Sequence, residues 1–416
     1  MKKILKDDRG SISTVVLVTV LFFVTVLSTG YMIAATLRQG QLKSELVAKE
    51  TYEKPLNNLE ELADEIKGTL QSTAETTPYL PDDSFKKVPG TDLSKGLVIE
   101  DKEKNQYVWV EVPKNLTVYP TAGLNITNFT DDEYTKIEND LHTYTNDYRN
   151  NTTYSDTWAE DTANEGWLTE SEYYTLKKKM LKSVYQNGGF YVGRYEAGIE
   201  KFRTDNSEKN SNGKYVTPTA TPVTKETVYP YTYVTRTQAQ KLAEKVNSGS
   251  YNSSLMFGVQ WDLVLAFMHN NGNIEENILT SASTTIGNYR ESVYKLNTNS
   301  KYATISNWTL NSVWNQATTV TEIFVDKNLK KISQTSNGNG IIVTTGTSEQ
   351  NKVMNIYDMA GNVYEWNLEN TSIISAPCSC RGGGWGCTGT EGPASFRSYD
   401  TIEHYLQDVG FRVSLW

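Results

Sequence analysis

The sequence predicts an α+β chain in which an N-terminal transmembrane helix and a helical stalk precede one large globular domain. Residues Ile12 to Leu37 run ISTVVLVTVLFFVTVLSTGYMIAATL without a charge, longer than the roughly 20 apolar residues that cross a bilayer as a helix. Gln41 to Gln71 is rich in Leu, Glu, Lys and Ala at helical spacing, broken at Pro55, and reads as a stalk. From Gln106 onward, alternating segments such as YVWVEVPK are interleaved with amphipathic helical ones. A chain of 416 residues with 38% hydrophobic content is long enough to bury a sizeable core.

In order, the segments are a basic leader at 1–10, the membrane helix at 11–38, the stalk at 39–71, a linker at 72–105 and the domain at 106–416. Lys2, Lys3, Lys6 and Arg9 precede the apolar run, against Asp7 and Asp8, while Arg38 and Lys43 follow it. That bias places the amino terminus in the cytoplasm and the domain outside a bacterial cell membrane, as a single-pass protein. The leader, ending in Gly10, resembles a type IV prepilin leader, which implies cleavage before Ser11 and pilin subunits as partners. Val15 stands where major pilins carry Glu, so a tip-type pilin-like protein and a plain membrane anchor both stay open. The 72–105 stretch is rich in Thr, Pro, Asp, Ser and Gly, as linkers are.

Within the domain, Asp131 to Glu172 is acidic and rich in Asn, Tyr and Thr, and reads as an insertion lobe (131–172) or a solvated loop. No D-x-D-x-D-G loop for calcium occurs there. GGFYVGRYEAG, Gly188 to Gly198, is a glycine-led strand. Thr235 is a candidate N-cap for a helix whose stripe is Ala239, Leu242, Ala243 and Val246, and Leu255 to Met268 is a strand-to-helix element with Trp261 and Asp262 in the core. The 26 tyrosines suit either a recognition surface or a β core. A net charge of −9 repels phosphate backbones and excludes nucleic acid as a partner. The three cysteines, Cys378, Cys380 and Cys387, all lie near the carboxyl end, so no disulfide framework spans the fold. The Cys378–Cys380 spacing is too tight for a C-x2-C zinc hairpin, and only His142, His269 and His404 could complete such a site.

Three terminal blocks are the most distinctive: NIYDMAGNVYEW at 355–366, RGGGW at 381–385 and GFRVSL at 410–415. Together with YVWVEVPK and GGFYVGRYEAG they resemble the formylglycine-generating-enzyme-like, C-type-lectin-type fold. The resemblance implies that Gly361 and Gly382 to Gly384 form turns, and that Trp366 and Trp385 pack beneath a small sheet. It also implies that Arg381 and Arg412 pair with buried carboxylates such as Asp358 or Glu365. Asn362 and Glu365 could alternatively share a calcium ion of the kind used by the enzyme branch; otherwise no cofactor is expected.

The oxidase branch of that family uses two cysteines five residues apart to bind copper. Cys387 occupies the first position, but Gly392 occupies the second, so a two-sulfur copper site cannot form and the chain is expected not to be an enzyme. No nucleophilic triad, P-loop or H-E-x-x-H motif offers other chemistry. The stretch CSCRGGGWGCTGTEGPASFRSYDTIEHYLQDVGFRV resembles instead the variable region of proteins diversified by diversity-generating retroelements, in which RGG, PAS-x-R and GFRV are scaffold. By that resemblance the ligand-binding region is 378–407. Its variable set is Cys378, Cys380, Trp385, Cys387, Thr388, Thr390, Phe396, Ser398, Tyr399, Thr401, His404 and Tyr405. The aromatics there would supply anchors and the hydroxyls adaptable hydrogen bonds. The expected function is that of a surface-displayed receptor or adhesin binding a protein or glycan at a cell or phage surface. A surface enzyme of the formylglycine-generating superfamily with altered chemistry, and an ordinary C-terminal loop, are the alternatives.

Overall fold

The computed structural model describes residues 78–149, 153–246, 251–293, 295–310, 313–318, 321–322 and 339–416. The helices begin where the sequence offers side-chain acceptors to the first free amides. In α1 (Asp131–Tyr144) the Thr130 hydroxyl accepts from the Glu133 amide, and Asp131, Asp132 and Glu133 sit at the positive end of the helix. For α2 (Glu170–Asn187) Thr169 and Glu172 form a reciprocal capping box, and Gly188 ends the helix at φ 70°, where a Cβ would be strained. The same box, from Thr235 and Gln238, opens α3 (Arg236–Glu244) at the cap the sequence indicates. The apolar helix α4 (Gly258–Gly272) is buried from Gly258 to Met268. Its N-terminus is capped from far away in sequence: the Asp156 carboxylate accepts from the Gly258 and Val259 amides at 2.6 and 3.0 Å. A short α5 (Glu276–Thr280) follows.

One antiparallel sheet takes the order β1 (Lys86–Lys87), β2 (Val98–Glu100), β3 (Gln106–Glu111), β5 (Gly189–Gly193), β14 (Val413–Leu415), β6 (Ser253–Leu255). YVWVEV supplies β3, GGFYVG supplies β5, and the last strand of the chain closes the sheet between β5 and β6. A second sheet runs β12 (Arg397–Asp400), β11 (Cys378–Arg381), β10 (Tyr364–Thr371), β13 (Val409–Phe411), with β4 (Tyr154–Ser155) also on β10. The β10–β13 pair is parallel. A third sheet holds the hairpin β7 (Lys301–Ser306) and β8 (Thr309–Leu310), with β9 (Gly340–Val343) on the other side of β7. Buried side chains include Trp109, Trp261, Trp366 and Trp385, and also Tyr107, Tyr119, Tyr173, Tyr185 and Tyr191, which places these tyrosines in the core.

Several expectations are corrected. No helix among the described residues is long and apolar enough to cross a membrane. The longest, α2, carries Glu170, Glu172, Lys177, Lys178, Lys179 and Lys182, and the apolar α4 is spent inside the domain. Among the described residues there are five α-helices and many short, mostly antiparallel strands. The architecture of transmembrane helix plus stalk, the pilin-like character and the single-pass membrane localisation are therefore not carried forward; the span expected at 11–38 and the stalk at 39–71 lie outside the described residues. Residues 78–105 are not a linker, because β1 and β2 extend the first sheet and Leu80, Phe85, Leu97, Val98 and Ile99 are buried. Nor is 131–172 a separate lobe: Ile137 and Leu141 are buried, β4 joins the second sheet and Asp156 caps α4.

Candidate functional site

The terminal blocks fold around two buried ion-pair groups. Arg381, at the end of β11, donates to Asp262 at 2.7 Å and to Glu369 at 3.4 Å. Arg397, opposite it on β12, meets the other Asp262 oxygen at 2.6 Å and Glu369 at 3.1 Å. Burial pushes the Glu369 carboxyl up, against Arg397 and Arg381. Burial pulls Arg397 down, but Asp262 and Glu369 outweigh it and hold the guanidinium charged. Arg412 forms the second group: it donates to Glu365 at 2.6 Å and to the carbonyls of Gly193, Tyr357 and Asp358. Asp358 is not an ion-pair partner; its carboxylate accepts from the Gly346 amide. These pairs lock β10, β11 and β12 to α4 and to β5.

The calcium alternative does not fit. Both Glu365 oxygens face Arg412, and Asn362 Oδ1 accepts from Asn288 Nδ2 and the Val343 amide. Asn362 Nδ2 donates to Glu196. The one group among the described residues with metal-ligand spacing is Glu138, His142 and Asp156. There Lys177 Nζ lies 2.9 Å from both Glu138 oxygens and Asp156 is engaged by α4. Burial drives His142 down to about 4.

On this frame the candidate recognition residues separate by burial. Cys378 and Cys380 point into the core of the second sheet, with thiols raised by burial, that of Cys378 to about 11. Trp385 is fully buried among Ala303, Ile305, Ile342 and Val363. These three cannot touch a ligand, and their inclusion in the binding set is corrected. Exposed are Thr390, Thr401 and Tyr399, the last with half its surface free. Cys387, Thr388, Phe396, Ser398, His404 and Tyr405 are half-buried.

Local bonds shape that surface. Thr388 and Thr390 hydroxyls meet at 2.9 Å, and the Glu391 carboxylate accepts from the Thr388 amide, closing a tight turn. On edge strand β12, Ser398 lies opposite Cys380 and Tyr399 opposite Ser379. His404 Nδ1 lies 3.0 Å from Asp400, and its ring stands edge-on to Trp366. Tyr405 packs against Tyr215. Cys387 accepts from the Tyr364 hydroxyl at 3.7 Å and donates to the Gly384 carbonyl at 3.1 Å, and Phe396 lies against the Tyr364 ring. Burial raises the Cys387 thiol, so it stays protonated.

Beside Cys387 lies a pocket of about 110 Å³ lined by Trp308, Tyr364, Gly384, Gly386, Cys387 and Asp408. Sequence reasoning missed Trp308, Tyr364 and Asp408. Trp308 arrives from the β7–β8 hairpin, and the one signal for it was the dipeptide Asn307-Trp308 between two strand-like runs. The Gln407 side-chain amide donates to the Trp308 carbonyl at 2.9 Å and joins the hairpin to the 378–407 region.

A scan against known protein families finds no match, and neither does a comparison with curated proteins. Among solved structures, the chain is similar to Treponema denticola variable protein 1, at 11% identity and a TM-score of 0.29, over 55% of this chain and 84% of that one. It is also similar to CarF, at 13% identity and a TM-score of 0.30, over 54% of this chain and 85% of that one.

Proposed function

We propose that the chain is a ligand-binding protein of the variable-protein type, whose recognition surface is the solvent-facing part of 378–407. One observation carries the reading: within 30 residues, buried anchors alternate with side chains the core does not use. Arg381, Trp385 and Arg397 are buried, whereas Thr390, Tyr399 and Thr401 are exposed. Such a segment can change its exposed residues without disturbing its anchors. A protein or glycan ligand fits this mixture of hydroxyls and aromatics. Catalysis by the copper route is disfavoured, because the position packed against the Cys387 sulfur is Gly392 and supplies no second thiolate. The test is to sequence this locus across sister isolates. Substitutions should concentrate at Thr388, Thr390, Ser398, Tyr399, Thr401, His404 and Tyr405 and spare Cys378, Cys380 and Trp385. An even spread along the chain would refute the reading.

A further inference from the structure

We propose that the pocket between Trp308, Tyr364 and Asp408 receives the ammonium group of a lysine side chain presented by a protein partner. The inference rests on the ligand-binding reading of the same surface and names the chemistry it recognises.

Asp408 is the first reason. Its Oδ1 is buried and has no hydrogen-bond partner, and a buried acceptor without a donor is a costly arrangement for a fold to keep. Burial pushes its carboxyl up, and the basic group that opposes this is His404, whose Nδ1 is held by Asp400 and whose Nε2 is itself buried without a partner, so no hydrogen bond from that ring reaches Asp408. A ligand donor entering the pocket would complete the acceptor.

The aromatic walls are the second. Trp308 is half-exposed and Tyr364 lines the same pocket, so a cation reaching Asp408 passes two aromatic side chains of the kind that attract positive charge. The turn that presents Trp308 is strained: Asn307 and Trp308 both take positive φ, 50° and 59°, between paired strands β7 and β8. Left-handed backbone is ordinary for Asn and costly for Trp. Strain of this kind is characteristic of ligand clamps.

The third reason is shape. A Cβ on Gly384 would come within 3.2 Å of the Tyr364 ring, and one on Gly386 within 3.3 Å of the Trp308 ring. The walls are close, and glycine keeps them from closing the slot. A slender methylene stem ending in a compact charge fits better than a pyranose ring, and a single free acceptor oxygen suits a point charge better than the planar fork of arginine.

Ligand-observed NMR on the full-length chain tests this with N-acetyl-lysine methylamide, its norleucine and arginine counterparts, and glucosamine. The lysine probe should bind about tenfold more tightly than each of the others. Asp408→Asn should abolish that preference. Absence of binding by the lysine probe, equal binding by norleucine, arginine or glucosamine, or an unchanged preference in Asp408→Asn overturns the proposal. If Asp408→Asn loses its folded circular dichroism signal, Trp308→Ala decides, and lysine binding retained there is equally fatal. The locus comparison is independent: clustered substitutions without lysine binding sink only the pocket assignment, and lysine binding without clustering sinks only the variable-protein reading.

Discussion

Gly392 packs against the sulfur of Cys387: a Cβ built at position 392 would stand 2.8 Å from that Sγ. Two positions five residues apart are thus brought side by side, and the chain places a thiol at only one of them. In Gly392→Cys, a second sulfur would fall within disulfide reach. Mild oxidation should cross-link 387 to 392, seen by peptide mapping; two free thiols under the same oxidant would contradict the geometry.

Asp262 is the hinge of the larger ion-pair group, one oxygen on Arg381 and the other on Arg397. Asp262→Ala leaves two buried guanidiniums short of a partner and should cost about 3–5 kcal/mol in denaturant unfolding. Leu116→Ala, at a well-exposed site, serves as the control and should lie within about 0.5 kcal/mol of the parent.

The Asp156 cap predicts a smaller loss. Asp156→Ala removes the acceptor for the Gly258 and Val259 amides, and should destabilise by about 0.5–2 kcal/mol. Asp156→Asn, which keeps one acceptor oxygen, should recover part of that.

His404 gives a pH dependence. Burial lowers its pKa, but the Asp400 carboxylate outweighs this, with Asp408 adding to it, and the folded value lies above the ordinary 6.5. Stability from this pair is therefore complete below the unfolded pKa of about 6.5 and lost as pH rises through the folded pKa. The stability gap between the parent and His404→Ala should shrink from pH 6 toward pH 8; a gap that widens would show the opposite sign.

How much of this was legible depended on how local its cause was. Thr235 and Gln238 announce α3 within four residues, and the Arg412–Glu365 pair follows from the resemblance of the terminal blocks. Strands β1 and β2 were not legible, because two or three residues amid Pro, Gly and Thr carry no readable period. The Asp156 cap acts across 102 residues, and no local pattern encodes it. Cys378 and Cys380 looked free to vary because nothing local marks β11 as an inner strand between β10 and β12 or shows that the face carrying both thiols is packed over. Trp308 reaches the pocket from a hairpin 99 residues before Gln407, so the pocket could not be assembled from its parts in sequence.

The central claim is that 378–407 interleaves fixed anchors with freely replaceable surface residues. Saturating substitution of the segment in the full-length chain, followed by selection for protease-resistant folded molecules, tests it most directly. Broad tolerance is predicted at Thr390, Ser398, Tyr399 and Thr401, with near-exclusion of change at Cys378, Cys380, Arg381, Trp385 and Arg397. Uniform tolerance across the segment, or stricter limits at the exposed positions than at the buried ones, would contradict it.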